Sequence, residues 1–361
     1  MIVKSLKLKN YRNYDHLDLS FDPFTNIFYG DNAQGKTNIL EAVYFGGTTK
    51  SHRGTKDRDI IEFDREEAHI ELLVSRDQMD YSIDMHLRKN KSKGVAINKV
   101  PIHKASELFG IVNLVFFSPE DLNIIKNSPS ERRKFMDMEL CQLDPVYFHD
   151  LSNYNHILNQ RNKLLKEIVY KPELKDTLDV WNIQLVQYGN RIIGRRNIFV
   201  QKINKIIYNI HRTLTGLSEK IEIVYAPDTK GRNFYDELIR NQDRDFKLHS
   251  TTVGPHRDDL LFYSNGIDIR SFGSQGQQRT AALSLKLSEI ELVKEMIHDT
   301  PVLLLDDVLS ELDQNRQEYL LDQIHDIQTL ITCTGLNDFV NHRFLINKIF
   351  RVTNGTVINE N

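Results

Sequence analysis

The chain has 361 residues, 40% hydrophobic and 27% charged, with a formal net charge of -3. This is the composition of an ordinary soluble globular protein, and the length suits two or three structural units, with one large α/β domain as the other reading. It excludes gripping nucleic acid by bulk positive charge, so any such contact needs a local basic patch or a surface completed by a partner. Cys141 and Cys333 are the only cysteines; they suit a reducing compartment and give no disulfide or thiolate-metal spacing. No apolar run approaches the ~20 residues of a membrane span. The start, Met1 to Leu8, alternates like a strand rather than a leader, so a cytoplasmic protein without membrane contact is expected.

Residues 2–9 and 17–21 read as two strands around the turn Asn10-Tyr11-Arg12-Asn13-Tyr14. Asn26-Ile27-Phe28-Tyr29 reads as a short buried strand, and Asn38 to Tyr44 as a helix. Between them stands Gly30-Asp31-Asn32-Ala33-Gln34-Gly35-Lys36-Thr37, which fits G-x-x-x-x-G-K-[ST]. The glycines let successive backbone N–H groups point at one anion, Lys36 sets a charge between the outer phosphates, and Thr37 offers a hydroxyl to Mg²⁺. The helix that starts at Lys36 adds the positive end of its dipole. Strand, glycine loop and helix together are the setting this mechanism needs. The basic loop Thr48 to Gly54, with Arg53, has three readings: reaching the nucleotide, facing DNA, or a solvated loop.

Residues 69–74, 81–87 and 93–97 alternate as three strands of a small antiparallel sheet. The connection Arg88 to Lys93 carries four cations, which suits either a phosphate contact or a hairpin tip kept in water. Val112 to Phe117 is another buried strand, ended by Ser118-Pro119-Glu120-Asp121-Leu122, which caps a helix. From about 120 to 215 the pattern is helical. Pro129 to Leu140 carries Arg132-Arg133; one long helix opens at Asp144-Pro145 and runs to about Tyr170; a second runs from Leu174 toward Leu214. Apolar stripes on both predict an antiparallel hairpin that packs on itself, too short and irregular for a long coiled coil. Arg195-Arg196 and His211-Arg212 on this arm read as solvated by default, with DNA contact as the other reading. Residues 221–225 return to strand, Asn233 to Arg244 reads as one helix, and Leu260 to Ile269 as a hairpin turning at Ser264-Asn265-Gly266.

A second concentration of chemistry lies near the end. Pro301 to Leu305 is an apolar run suited to the centre of a parallel sheet, and Asp306-Asp307 emerge at its carboxyl end, where the glycine loop also opens. Asp306 is placed to hold Mg²⁺, directly or through water, and Asp307 to polarise an attacking water. Upstream, Ser271 to Arg279 opens an amphipathic helix (Ala281, Ala282, Leu285, Leu292, Met296), with Ser274, Gly276 and Gln277 at its start as a second phosphate nest. One triphosphate and two phosphate-binding helix starts are economically reconciled by a dimer, each copy's Ser274–Gly276 closing on the γ-phosphate held by the other's glycine loop.

The order of P-loop, S-x-G-Q signature, apolar strand ending in Asp306-Asp307 and then Ser310-Glu311-Leu312-Asp313 resembles the ABC-type ATPases. The wording resembles the RecF family over nearly the whole chain. The matching strings are Leu6 to Tyr14, Gly30 to Thr37, Ser118 to Leu122, Arg132-Arg133, Gly254-Pro255-His256-Arg257-Asp258-Asp259, Gly273 to Arg279 and Leu305 to Asp313. The resemblance implies an α/β head with a mixed sheet and P-loop, like that of the chromosome-maintenance and Rad50 ATPases, with an inserted helical lobe. It implies ATP and Mg²⁺ as cofactors, an ATP-dependent homodimer, weak DNA-stimulated ATPase activity acting as a switch, and binding of single-stranded or gapped DNA. It also implies RecR and RecO as partner proteins in recombinase loading and SOS induction. The expected domains are residues 1–117 and 221–361 as the head and 118–220 as the arm.

Two departures bear on mechanism. Transporter-type members carry glutamate where Asp307 stands, and the shorter side chain fits a slow switch. They also carry a histidine after the next strand, where Leu330 to Gly335 has none; Thr332 or Thr334 is the candidate replacement. An energising subunit of a membrane transporter is the second reading, opposed by the helical insertion and the altered signature. A nucleotide-binding scaffold without turnover is the third, opposed by Asp306-Asp307 with Ser274–Gly276. Arg53, Arg132, Arg133, Arg257 and Arg279 are candidates for nucleotide or DNA contact.

Overall fold

The computed structural model describes residues 1–336 and 345–360. It divides into two compact units, Met1–Asp121 with the described part of Glu289–Asn361, and Leu122–Ser288.

The chain opens with β1 (Ile2–Tyr11) and β2 (Tyr14–Ser20), followed by β3 (Thr25–Tyr29) and α1 (Lys36–Thr48). Then come β4 (Glu67–Arg76), β5 (Met79–Arg88), β6 (Lys91–Ile97), β7 (Val100–Ile102) and β8 (Leu114–Phe117). Alternation makes one face of these strands apolar: Ala68, Ile70, Leu72 and Val74 of β4 and Ile83, Met85 and Leu87 of β5 are buried. In β1 both Val3 and Leu6 are buried although they differ in parity, because the pairing with β4 shifts register between Val3 and Ser5. The resulting six-stranded sheet has the order β2-β1-β4-β5-β6-β7.

The second unit begins with α2 (Leu122–Lys126), α3 (Pro129–Leu143), α4 (Pro145–Glu167) and α5 (Leu178–Leu214). Asp144 caps α4, accepting from the N–H groups of Val146 and Tyr147. The long α5 has 37 residues, about 55 Å at 1.5 Å per residue, and begins only after a 3₁₀ stretch, Pro172–Thr177. Where the hairpin turns, Leu164, Leu165 and Leu178 make a small core against Trp181 and Phe246. Then follow β9 (Ile221–Ala226), α6 (Phe234–Arg240), α7 (Gln242–Leu248), β10 (Asp259–Ser264), β11 (Ile267–Asp268), α8 (Ile269–Phe272) and α9 (Gln275–Ile297). The single helix expected over Asn233 to Arg244 is divided at Asn241, whose backbone N–H and side-chain amide both donate to the Glu237 carbonyl, at 3.1 and 2.8 Å. The start of α9 is exposed, but Thr280 to Leu292 is buried almost all round, with Lys286 and Glu289 included; the amphipathic stripe expected there is not what the helix shows. The expected arm ends at 220. The second unit runs on to Ser288, since β9 pairs antiparallel with β10 in a three-stranded sheet and packs against α5.

The chain then returns to the first unit through β12 (Val302–Asp306), α10 (Gln314–Ile324), β13 (Thr329–Cys333), β14 (Lys348–Thr353) and β15 (Thr356–Asn359). These complete a sheet of order β15-β14-β3-β13-β12-β8, parallel except for β15. Its strands read as continuous apolar runs because both faces are covered; α1 is buried from Ile39 to Thr48. Gln328 ties the two sheets of this unit together, accepting from Val3 N–H at 2.6 Å and donating to the carbonyls of Val3 and Asp22, both at 2.8 Å. On β3 and β14, Phe28 and Phe350 stack at 4.8 Å, with Phe21 edge-on to both.

Candidate functional site

The carboxyl ends of β3 and β12 flank that of β13, and the chemistry collects at this end of the parallel sheet. The loop after β3 turns through left-handed backbone at Gly30 (φ 149°), Ala33 (φ 63°) and Gly35 (φ 109°). Gly30 and Gly35 have no room for a side chain: a Cβ would stand 2.3 Å from the Val352 carbonyl oxygen at Gly30, and 2.4 Å from Asn13 Nδ2 at Gly35. Asp31, Asn32 and Ala33 are exposed. Gln34 is anchored: its carbonyl accepts from Asn13 Nδ2 at 3.1 Å and its Oε1 from Asn354 N–H at 2.6 Å. Gly35 N-caps α1 with no side-chain acceptor, so the first N–H groups of this helix offer an anion site.

Lys36 Nζ donates to the carbonyls of Gly30 and Asp31 at 2.6 and 2.7 Å, holding the ammonium inside the loop. Burial pushes its pKa down, opposed by Asp307, Asp306 and Asp31. Thr37 Oγ1 donates to Asp306 Oδ1 at 2.7 Å. Thr332 Oγ1, on β13, donates to the same oxygen at 2.7 Å, leaving Oδ2 outside both contacts. Asp307 stands in the left-handed region at φ 52°, a costly conformation for a residue with a side chain. Its N–H is held on Thr332, 3.0 Å from Oγ1 and 3.2 Å from the carbonyl. Burial and the neighbouring Asp306 push the Asp307 carboxyl above its ordinary pKa, with Lys36 opposing. Of the two threonines that could stand in for the missing histidine, Thr332 is buried on Asp306 and Thr334 is exposed.

A cavity of about 580 Å³ opens beside the loop, lined by Arg12, Asn13, Asn38, Asp59, Phe63 and Lys89 among others. Arg12 has no role that its sequence context reveals. The structure holds it in a fork on buried Glu41 of α1, Nε and Nη2 at 2.9 and 2.8 Å, with Nη1 on the Asp59 carbonyl at 2.9 Å. Burial alone would raise the Glu41 carboxyl; Arg12 and Ser51 hold it below the usual carboxylate range. The signal was present as an arginine in the first turn and a glutamate on the apolar α1, but nothing in their spacing pairs them.

The second unit carries Ser274, Gly276 and Gln277 at the start of α9. Ser274 and Gln277 cap each other reciprocally: Gln277 N–H donates to Ser274 Oγ at 3.2 Å, and Ser274 N–H to Gln277 Oε1 at 2.9 Å. Gly276 is exposed, and a Cβ there would meet Ser274 Oγ at an ordinary 3.8 Å. Two arginines considered for DNA or nucleotide contact are not available for it. Arg132 is buried, forked on Asp259 at 2.6 and 3.0 Å and bonded to the carbonyls of Ile124 and Asn127. Arg196, expected in solvent, is buried on Asp258, Asp137, Tyr147 and the Pro255 carbonyl. Adjacent cations in the sequence give no sign of the distant acids that bury them. In the first unit, Lys89 and Lys93 of the basic hairpin are engaged with Glu66 and Asp57, while Arg53 is exposed.

Thr37 and Asp306 present hard oxygen donors in contact, and the loop presents N–H groups and a buried ammonium, so these residues fit a Mg²⁺-bound polyphosphate. The model of the RecF/RecN/SMC N-terminal domain matches residues 2–357. The chain is 62% identical over 357 residues to the DNA replication and repair protein RecF of Agathobacter rectalis, covering 99% of both chains. It superimposes with a TM-score of 0.92 and 36% identity on a structure of the recombination mediator protein RecF-ATPrS in the RecFOR pathway, over 100% of this chain and 98% of that one. The Smc head domain of Pyrococcus furiosus shares the ABC-type head fold at a TM-score of 0.56 and 16% identity, over 99% of this chain and 96% of that one. No helix among the described residues is long and apolar enough to cross a membrane. The chain belongs to the RecF family of DNA replication and repair proteins, within the wider RecF/RecN/SMC group.

Proposed function

We propose that this chain is an ATP-switched DNA-binding protein that pairs with a second copy when ATP and Mg²⁺ are bound, grips single-stranded or gapped DNA in that state, and releases by slow hydrolysis. The observation that carries the reading is Thr37 and Asp306, from opposite ends of the sequence, meeting at 2.7 Å beside a lysine-filled glycine loop. Mg²⁺ would be held by Thr37 and Asp306 and would neutralise charge on the outer phosphates.

This chain's own residues divide the remaining work. Gly30 to Gly35 supply N–H groups to the phosphates, Lys36 binds their outer oxygens, and the cavity beside Arg12 and Asn13 takes the nucleoside. Asp307, with its pKa raised, accepts a proton from the attacking water. Ser274, Gly276 and Gln277 approach from the second copy. Relatives solved as RecF-ATP and RecF-ATPrS belong to the RecFOR pathway, which supports RecO and RecR as partners here in recombinase loading and SOS induction.

ATP can favour the pair only by as much as it binds that state better. Sedimentation of the parent and of Lys36→Met, each with and without ATP·Mg²⁺, tests this. The parent shifts to twice its mass with nucleotide and Lys36→Met does not; an unchanged monomer fraction in the parent overturns the reading.

A further inference from the structure

The capping pair at α9 is not self-contained. With Oε1 of Gln277 taken by Ser274 N–H, its amide nitrogen donates to Glu219 Oε1 at 3.1 Å. Glu219 belongs to the short turn between α5 and β9, far from α9 in sequence. Its Oε2 accepts Ser264 Oγ–H from β10 at 2.9 Å. The turn itself is clamped: Lys220 N–H donates to Asn265 Oδ1 at 3.0 Å, and Asn265 N–H to the Lys220 carbonyl at 2.9 Å.

The last turn of α5 adds a third side. His211 is buried, its Nε2 3.6 Å from Glu219 Oε2 and its Nδ1 2.9 Å from Ser284 Oγ on α9. Ser284 spends its own proton on the Thr280 carbonyl at 2.7 Å, so its lone pair faces His211. Burial alone would raise the Glu219 carboxyl, but Gln277, Ser264 and His211 hold it below the ordinary range, which keeps it ionised as an acceptor. The end of the arm helix, the β10–β11 hairpin and the start of α9 therefore share one carboxylate.

We propose that Glu219 is a positioning residue: by fixing the Gln277 amide, and through it Ser274, it holds the exposed start of α9 in the orientation that closes on a triphosphate bound by a second copy. The inference rests on the paired-site reading above. It links the arm to the closing surface by hydrogen bonds rather than by a catalytic contact, since Glu219 itself touches no reacting atom. Loss of the carboxylate lets Gln277 turn to water and removes the support of one half of the cap, while nothing in the chain's own glycine loop changes.

The test compares parent, Glu219→Ala, Glu219→Gln and Ser274→Arg by two titrations with ATP·Mg²⁺, one reading nucleotide occupancy of the monomer by a fluorescent analogue and one reading dimer mass. Glu219→Ala is expected to fill its own site at the parent's concentration but to need about tenfold more ATP to pair, the order of one supported hydrogen bond. Glu219→Gln keeps an acceptor oxygen and recovers most of that loss. Ser264→Ala removes the hydroxyl that holds Glu219 from the other side and gives the same split in weaker form, which guards against a folding defect peculiar to one variant. A merely structural role would lower occupancy and pairing together, and that result, or pairing of Glu219→Ala at parental ATP, overturns the proposal. If Ser274→Arg blocks pairing while Glu219→Ala does not, only the role of Glu219 falls; if Ser274→Arg also pairs like the parent, the paired-site reading falls with it.

Discussion

Thr332 donates its hydroxyl to Asp306 Oδ1 at 2.7 Å. The same oxygen receives Thr37, and the same threonine accepts the strained Asp307 N–H, so one side chain on β13 orients both acids. Thr332→Val keeps the shape and deletes these bonds. The expected result is about 1 kcal/mol of lost stability and a several-fold rise in the Mg²⁺ concentration that supports ATP binding. Thr332→Ser restores both, and Thr334→Val changes neither. Equilibrium nucleotide binding across a Mg²⁺ series, with denaturant melts alongside, checks it.

In the proposed function Asp307 serves the water and Asp306 the cation, so their amides should fail differently. Asp307→Asn is expected to bind ATP and pair normally while hydrolysis falls by about a hundredfold or more, the scale of a lost general base. Asp306→Asn should weaken Mg²⁺-dependent binding itself. Single-turnover hydrolysis on preformed pairs separates the two; equal loss of binding in both variants would remove the division of labour.

The apolar strands and the glycine loop were legible because their signals are local. β3, the loop and α1 lie within a few residues of one another, and β12 is an unbroken apolar run ending in acids. The interior of the helical unit was not. Sequence reasoning sorted α4 into apolar inside and polar outside, yet its buried face is Tyr147, Asp150, Tyr154, Ile157, Arg161, Leu164 and Leu165. Arg161 is inside because Asp245, Asn182 and Thr251 meet it there at 2.7 to 2.8 Å, and these partners stand 21 to 90 residues away. Periodicity reports hydropathy, not the identity of a remote counter-charge. For the same reason the Glu219–Gln277 contact and the Arg12–Glu41 fork left no trace in motif spacing.

Arg161 and Asp245 form an ion pair with both side chains wholly buried. Removing one partner leaves the other charged and unpaired, which costs about 3–5 kcal/mol. Arg161→Met is therefore expected to shift the urea midpoint strongly downward, and Arg161→Met with Asp245→Leu to recover part of the loss. Indifference to the single change would mean that the pair contributes nothing to the second unit.

His256 carries a pH dependence. Its Nδ1 lies 2.7 Å from Tyr154 Oη and its Nε2 3.0 Å from the Thr251 carbonyl. Burial pushes its pKa down from 6.5 to about 4, with Arg257 and Arg133 acting in the same direction. The unfolded chain then takes up a proton at a pH where the folded chain does not. The stability held by neutral His256 is fully present above pH 6.5 and drains away as the pH falls toward 4, by up to ~3 kcal/mol. Urea unfolding at stepped pH should show this slope in the parent and a flatter one in His256→Gln; equal slopes contradict the assignment.

The most direct test of the sandwiched triphosphate is mass and DNA binding read together on one sample, with and without ATP·Mg²⁺, for the parent and Ser274→Arg. The parent is predicted to double its mass and retain gapped DNA only with nucleotide, and Ser274→Arg to fill its own glycine loop yet remain single and release the DNA. A nucleotide-loaded Ser274→Arg that pairs and holds DNA like the parent would contradict the account.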